Sequence, residues 1–146
     1  SKASYSNPFV KREDYDKCVL AHAEFDNELV GLVTFVEKAN ETFIYGLFSR
    51  GLGCGPQFLI TDNCGNVIQN VTDIFNVTLD GEGGTKPFFR EVSCSVLDLG
   101  EILCTTCDQN KRELTTLGKN NTSKGVNLSV SSANSPKSTV PITPDK

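Results

Sequence analysis

What most constrains this chain is a rhythm of short apolar runs cut by turn residues. Cys18–Phe25 is such a run, and Asp26-Asn27 ends it in a turn. Leu29–Glu37 (LVGLVTFVE) is rich in Val and Phe and lacks helical spacing, and Lys38-Ala39-Asn40-Glu41 turns the chain again. Thr42–Phe48 (TFIYGLF) alternates, with Phe43, Tyr45 and Leu47 on one face. Gly51, Gly53 and Gly55 mark a tight loop, Gln57–Thr61 reads as a fourth strand, and Asp62-Asn63-Cys64-Gly65-Asn66 is a strong turn signal. Val67–Leu79 is one irregular strand or two short ones, and Asp80–Gly84 is a flexible turn. Phe88–Leu97 is another strand, with Val92, Cys94 and Val96 on one side, and Glu101–Thr105 closes the core. Short strands with turns roughly every eight to twelve residues predict an all-β, antiparallel sandwich or barrel.

The 146 residues suffice for one domain, and three segments follow from composition. Residues 1–15 are polar, with Asn7-Pro8 and the run Lys11-Arg12-Glu13-Asp14, and read as a flexible arm. Residues 16–109 hold every cysteine and nearly all the large apolar side chains. Residues 110–146 carry the Ser/Thr/Pro-rich stretch Ser131–Thr139, which buries too little apolar surface to offset its ordering entropy. That segment is expected to be a flexible tail, either an O-glycosylated stalk ending near a removed anchor signal or an ordinary disordered terminus. The chain begins at Ser1 with no apolar leader and reads as a mature or trimmed form. No apolar run is long enough to span a bilayer as a helix. The acidic balance, with a net charge of -4, argues against a nucleic-acid partner.

Compartment is read from Cys18, Cys54, Cys64, Cys94, Cys104 and Cys107 together with the Asn-x-Ser/Thr sites. An even cysteine count in a short acidic chain suits three disulfides in an oxidising compartment. The rival, a thiolate zinc site at Cys104-Thr-Thr-Cys107, needs a second close pair that the sequence lacks. A redox role for the same pair lacks a thioredoxin-like setting. Sequons stand at Asn40, Asn70, Asn76, Asn120, Asn121 and Asn127, where the residue counts predict about two by chance. Together they imply a secreted protein, or one anchored at the cell surface.

Catalytic chemistry finds little support. His22 is the one histidine, too few for a metal cluster, and as the one imidazole base for a Ser/His arrangement it is accompanied by nothing like Gly-x-Ser-x-Gly. Asp73 with Asp80 or Glu82 offers paired carboxylates of the kind any acidic chain provides. Gly81-Glu82-Gly83-Gly84 lacks the Lys-Ser/Thr of a phosphate loop, and Asp62–Asn66 has too few spaced acidic oxygens for a calcium loop.

The strand series resembles the copper/zinc superoxide dismutase family. Cys18–Glu37 (CVLAHAEFDNELVGLVTFVE) is similar to its first hairpin, and Thr42–Leu52 (TFIYGLFSRGL) to its third strand. Pro56–Cys64 (PQFLITDNC) stands where the family keeps its metal-bearing strand and loop cysteine, and Phe88–Cys104 (FFREVSCSVLDLGEILC) looks like its last two strands. The resemblance, over Lys17 to Cys107, implies an immunoglobulin-like Greek-key barrel. It also implies a bridge between Cys64 and Cys104, which leaves Cys18, Cys54, Cys94 and Cys107 for two further bridges of unassigned pairing. The family holds copper through four histidines and zinc through three histidines and an aspartate. Here Phe58 and Ile60, or Leu59 and Thr61 in the other register, stand at the family's His-x-His. No histidine follows position 22, the zinc loop is shortened, and neither Arg90 nor Arg112 matches the superoxide-guiding arginine. The resemblance therefore implies a scaffold without metals or other cofactors and without catalysis. Such a domain would meet a protein or glycan partner outside the cell. The alternative is a structural subunit that self-associates by donating residues 1–15 to a neighbour's sheet edge.

Overall fold

The computed structural model describes residues 18–108 and 122–145. The expected arm at 1–15, the sequons Asn120 and Asn121, and Arg112 lie outside the described residues. Three long antiparallel strands come first: β1 (Val19–Asp26), β2 (Val30–Lys38) and β3 (Glu41–Arg50). The chain then crosses to β4 (Gln57–Asp62) and β5 (Val67–Asn70), followed by one helical turn, α1 (Thr72–Phe75). It returns as β6 (Phe88–Ser93) beside β3, and a second turn, α2 (Leu99–Ile102), leads into β7 (Thr106–Asp108). Beyond position 121 lie β8 (Thr122–Lys124), β9 (Val126–Ser132), β10 (Ser135–Pro141) and the two-residue β11 (Thr143–Pro144). One sheet runs β11-β1-β2-β3-β6, the other β10-β9-β4-β5, and β7 pairs with β8 as a small ribbon. The fold is therefore all-β and antiparallel, as the strand rhythm predicts.

Period-two patterning decides which side chains meet between the sheets. Ala21, Ala23 and Phe25 of β1, Val33 and Phe35 of β2, and Ile44 and Phe48 of β3 face Phe58 and Ile60 of β4 and Val126, Leu128 and Val130 of β9. A row of phenylalanines ties the layers. The Phe75 ring lies 5.0 Å from Phe58, 5.4 Å from Phe88 and 6.4 Å from Phe35, and Phe48 lies 5.6 Å from Phe58. Gly46 makes room for this row, since a Cβ there would strike the Phe88 ring. Gly31 does the same for Phe48.

Three expectations need correction. Ser131–Thr139 is not a flexible tail. Val126–Ser132 runs in the middle of the four-stranded sheet, paired with both β4 and β10. Val126, Leu128, Val130 and Ile142 are buried. Three inward apolar residues alternating with Asn and Ser are enough when two neighbouring strands supply the backbone hydrogen bonds. Pro136 and Pro141 are tolerated because β10 is an edge strand.

Secondly, Glu101–Thr105 is not a strand. Asp98 accepts a hydrogen bond from the Glu101 backbone N–H at 3.1 Å, and the Glu37 carboxylate accepts one from Gly100 N–H at 2.6 Å. Those two acceptors satisfy the first N–H groups of a helical turn. Phe88–Cys104 is accordingly one strand and a helix, not the closing hairpin that the resemblance implies.

Thirdly, Cys64 bridges to Cys107, not Cys104. The Asp62–Asn66 turn faces the β7–β8 ribbon, where Asn63 Nδ2 donates to Ser123 Oγ at 2.8 Å, and Cys107 sits on that ribbon opposite Ser123. Cys104, at the end of α2, is an exposed thiol, and Cys18, Cys54 and Cys94 are thiols too. One bridge stands where three are expected.

Candidate functional site: the outer face of the five-stranded sheet

The second face of β1-β2-β3-β6 is unusually apolar for a surface. Residues of the outward parity pair across the strands in rows. Leu20, Val36, Phe43 and Glu91 form one row, and His22, Thr34, Tyr45 and Phe89 the next. Glu24, Leu32 and Leu47 form the third. Leu20, Leu32, Tyr45, Leu47 and Phe89 are all exposed, Tyr45 at 51% and Leu32 at 47%. Aromatic contacts fix the centre: the Phe89 ring lies 4.7 Å from Tyr45 and stacks on Phe43 at 6.2 Å. Beside them a groove of about 530 Å³ runs between Leu32, Tyr45, Leu47 and Pro87. With no side chain at Gly31 and Gly46, the floor of this groove is reached by Phe25 and Phe88. Contiguous exposed apolar surface of this kind marks an interaction site far more often than scattered single residues do.

Sequence patterning places Phe43, Tyr45 and Leu47 on one side of their strand, and the structure puts that side outward. Phe89, Leu32 and Leu20 escape a single-strand reading. β2 and β3 are apolar on both faces, so only the pairing partners decide which face the opposite sheet covers.

The other residues singled out in the sequence form structure rather than a second site. His22 Nδ1 lies 2.9 Å from Asp145 Oδ1 on the partly exposed edge of the sheet. Asp62 Oδ1 accepts from the backbone N–H groups of Cys64 and Asn66, at 2.9 and 2.8 Å, and Oδ2 accepts from Asn66 Nδ2 at 3.0 Å. Burial pushes its carboxyl up, but the hydrogen bonds from Asn66, Cys64 and Gly65 outweigh that and hold it below the usual range. Asp62, Cys64 and Cys107 bring potential ligand atoms within 4.8 Å of one another. In the bridged state neither sulfur is the thiolate that ligates a metal. Cys94 donates to Glu37 Oε2 at 3.0 Å, and burial together with that carboxylate raises its thiol to about 11. Asp80 Oδ1 caps its own turn by accepting from Glu82 N–H and Gly84 N–H. Phe58 and Ile60, at the positions of the family's His-x-His, are buried in the core.

The described sequons avoid the apolar face. Asn40 lies in the β2–β3 turn, exposed, with φ 69. Asn70 ends β5 and Asn76 caps α1, both exposed, and the Asn76 carbonyl accepts from Arg90 of β6 at 2.8 Å. Asn127 is half-buried on β9, and its Nδ2 donates to Asn63 Oδ1 at 2.9 Å and to the Asp62 carbonyl at 3.4 Å. Comparison with family models, curated proteins and solved structures yields no match.

Proposed function

We propose that this chain is a non-catalytic glycoprotein domain, secreted or held at the cell surface, that binds a protein or glycan partner through the outer face of its five-stranded sheet. The observation that carries this reading is a segregation. Among the described residues, no sequon asparagine lies on the outward rows of β1, β2, β3 and β6, while the largest group of exposed apolar side chains does. A glycan on Asn40 or Asn76 would border this face, and none of the three sequons stands among Leu32, Tyr45 and Leu47 at its centre. The scaffold reading is a Greek-key, dismutase-like sandwich without metals. Its support is the connectivity: after β4 and β5 the chain returns to pair β6 with β3, and β9 later returns to pair with β4. Phe58 and Ile60, packed into the core, leave that strand without an imidazole.

The experiment is a glycan map of the chain secreted from eukaryotic cells, combined with metal analysis and a superoxide dismutase assay. The reading expects glycans at Asn40, Asn70 or Asn76, and neither copper nor activity. An unmodified secreted chain, or copper with dismutase turnover, would overturn it.

A further inference from the structure

We propose that the outer face of the five-stranded sheet docks a cationic, amphipathic protein segment, with basic side chains seated at Glu41/Glu91 and at Glu24/Asp26 and apolar side chains on the surface between. The proposal rests on the interaction-face reading above and adds the chemistry of the partner.

Charge is distributed unevenly on this face. Glu24 and Asp26 stand at the β1 end of the third row and beyond it. Glu91, opposite Phe43, and Glu41, two residues before Phe43 on β3, occupy the other corner. Between the two acidic corners lie Leu32, Leu47, Tyr45 and Phe89, all exposed. None of the four carboxylates is ion-paired, since the one ion pair among the described residues is His22–Asp145. Arg90, the basic residue of β6, is turned away. Its guanidinium donates to the carbonyls of Phe75, Phe89 and Asn76 at 3.0, 2.8 and 2.8 Å. Glu41 is raised by Glu91, first through a shared hydrogen bond and then through charge repulsion. Lys38 stands opposite Glu41 across β2 and β3 but does not come within ion-pair distance of it, so two neighbouring carboxylates are left that a lysine or arginine seated between them would relieve, and the exposed rings beside them favour a cation further.

The same pattern argues against a second copy as the occupant. A two-fold pairing of this face about either of its diagonals would set acidic corners against acidic corners, and like charges brought together in a contact are costly. The spacing sets the size of the segment. Glu91 and Glu24 are separated by four residues along the strands and three strand spacings across them, a diagonal of about 19 Å. That is about six residues of extended chain, or about twelve of helix.

The test uses the full chain and three synthetic peptides. One carries two lysines at each end of a five-residue Leu/Thr centre, and the others carry glutamate or serine in place of the lysines. Titration calorimetry should show binding of the lysine peptide at least tenfold tighter than either counterpart, weakening as NaCl is raised. Glu41→Gln/Glu91→Gln and Tyr45→Ser/Phe89→Ser should each weaken it about tenfold, whereas Asp73→Asn, an exposed acid on α1, should leave it unchanged. Several results would overturn the proposal: no binding, insensitivity to the Glu41/Glu91 pair, equal loss on Asp73→Asn, or a dimer that Tyr45→Ser/Phe89→Ser abolishes. Equal binding of the serine or glutamate peptide overturns it too, yet leaves the face an interaction surface. The glycan map tests that broader reading separately.

Discussion

Cutting the Cys64–Cys107 bridge is the perturbation whose magnitude follows most directly from the structure. The bridge joins the turn after β4 to the ribbon strand β7 across 43 residues of sequence. Closing a loop of that length removes unfolded-chain entropy equivalent to about 4 kcal/mol at room temperature, in the chain-entropy model. Measured values usually fall below that ceiling, so Cys64→Ala/Cys107→Ala should lose roughly 2–4 kcal/mol of unfolding free energy. For a domain of this size the melting temperature should fall on the order of 10 °C. The assay is urea denaturation of the full chain, followed by the circular dichroism of its strands, with each variant measured with and without reductant. Reductant should destabilise the parent chain by the same amount and leave the double variant unchanged. Cys104→Ala should be nearly neutral, because that thiol is exposed and outside the bridge. If Cys104→Ala instead reproduced the loss and abolished the response to reductant, the bridge would run from Cys64 to Cys104 and the ribbon geometry described above would be wrong.

Three further outcomes are expected. Phe75→Ala should cost about 3–5 kcal/mol in the same denaturation assay, because its fully buried ring contacts Phe35, Phe58 and Phe88, whereas Gly46→Ala should cost about 1–3 kcal/mol by driving a Cβ into the Phe88 ring. Asp62 has a carboxyl held below its ordinary value, so its stabilisation is present above the unfolded-state value of about 3.9 and is lost as the pH falls through the lower folded-state value. Asp62→Asn should therefore be less stable than the parent at neutral pH, and a urea series should show the gap narrowing below about pH 4; a pH-independent gap would refute the carboxylate's role. Iodoacetamide at about pH 8 should label Cys18, Cys54 and Cys104 rapidly and Cys94 slowly, because the Cys94 thiol titrates near 11; mass spectrometry of the digested chain reads the order. The stability that Cys94 contributes as a neutral thiol is complete below its ordinary value of 9.0 and is lost as the pH rises through 11.

The sequence by itself determined the strands at the front of the chain. Cys18–Phe25, Leu29–Glu37 and Thr42–Phe48 are apolar runs of strand length separated by turn residues, and all three are strands within a residue or two of the expected bounds. Asp62–Asn66 is legible as a turn because Asp62 can close it with its own carboxylate, a contact made within five residues. Tertiary structure decided what depends on partners distant in sequence. Val126–Ser132 looks like part of a Ser-rich tail until β4 and β10 flank it, since its backbone hydrogen bonds and buried face both come from other strands. The choice of Cys107 over Cys104 as the partner of Cys64 is set by the β7–β8 ribbon, and half of that ribbon lies beyond position 121. The outer face was hidden for the same reason. In strands that are apolar on both sides, period two says that the faces differ, and only the packing of the second sheet says which one is left to solvent.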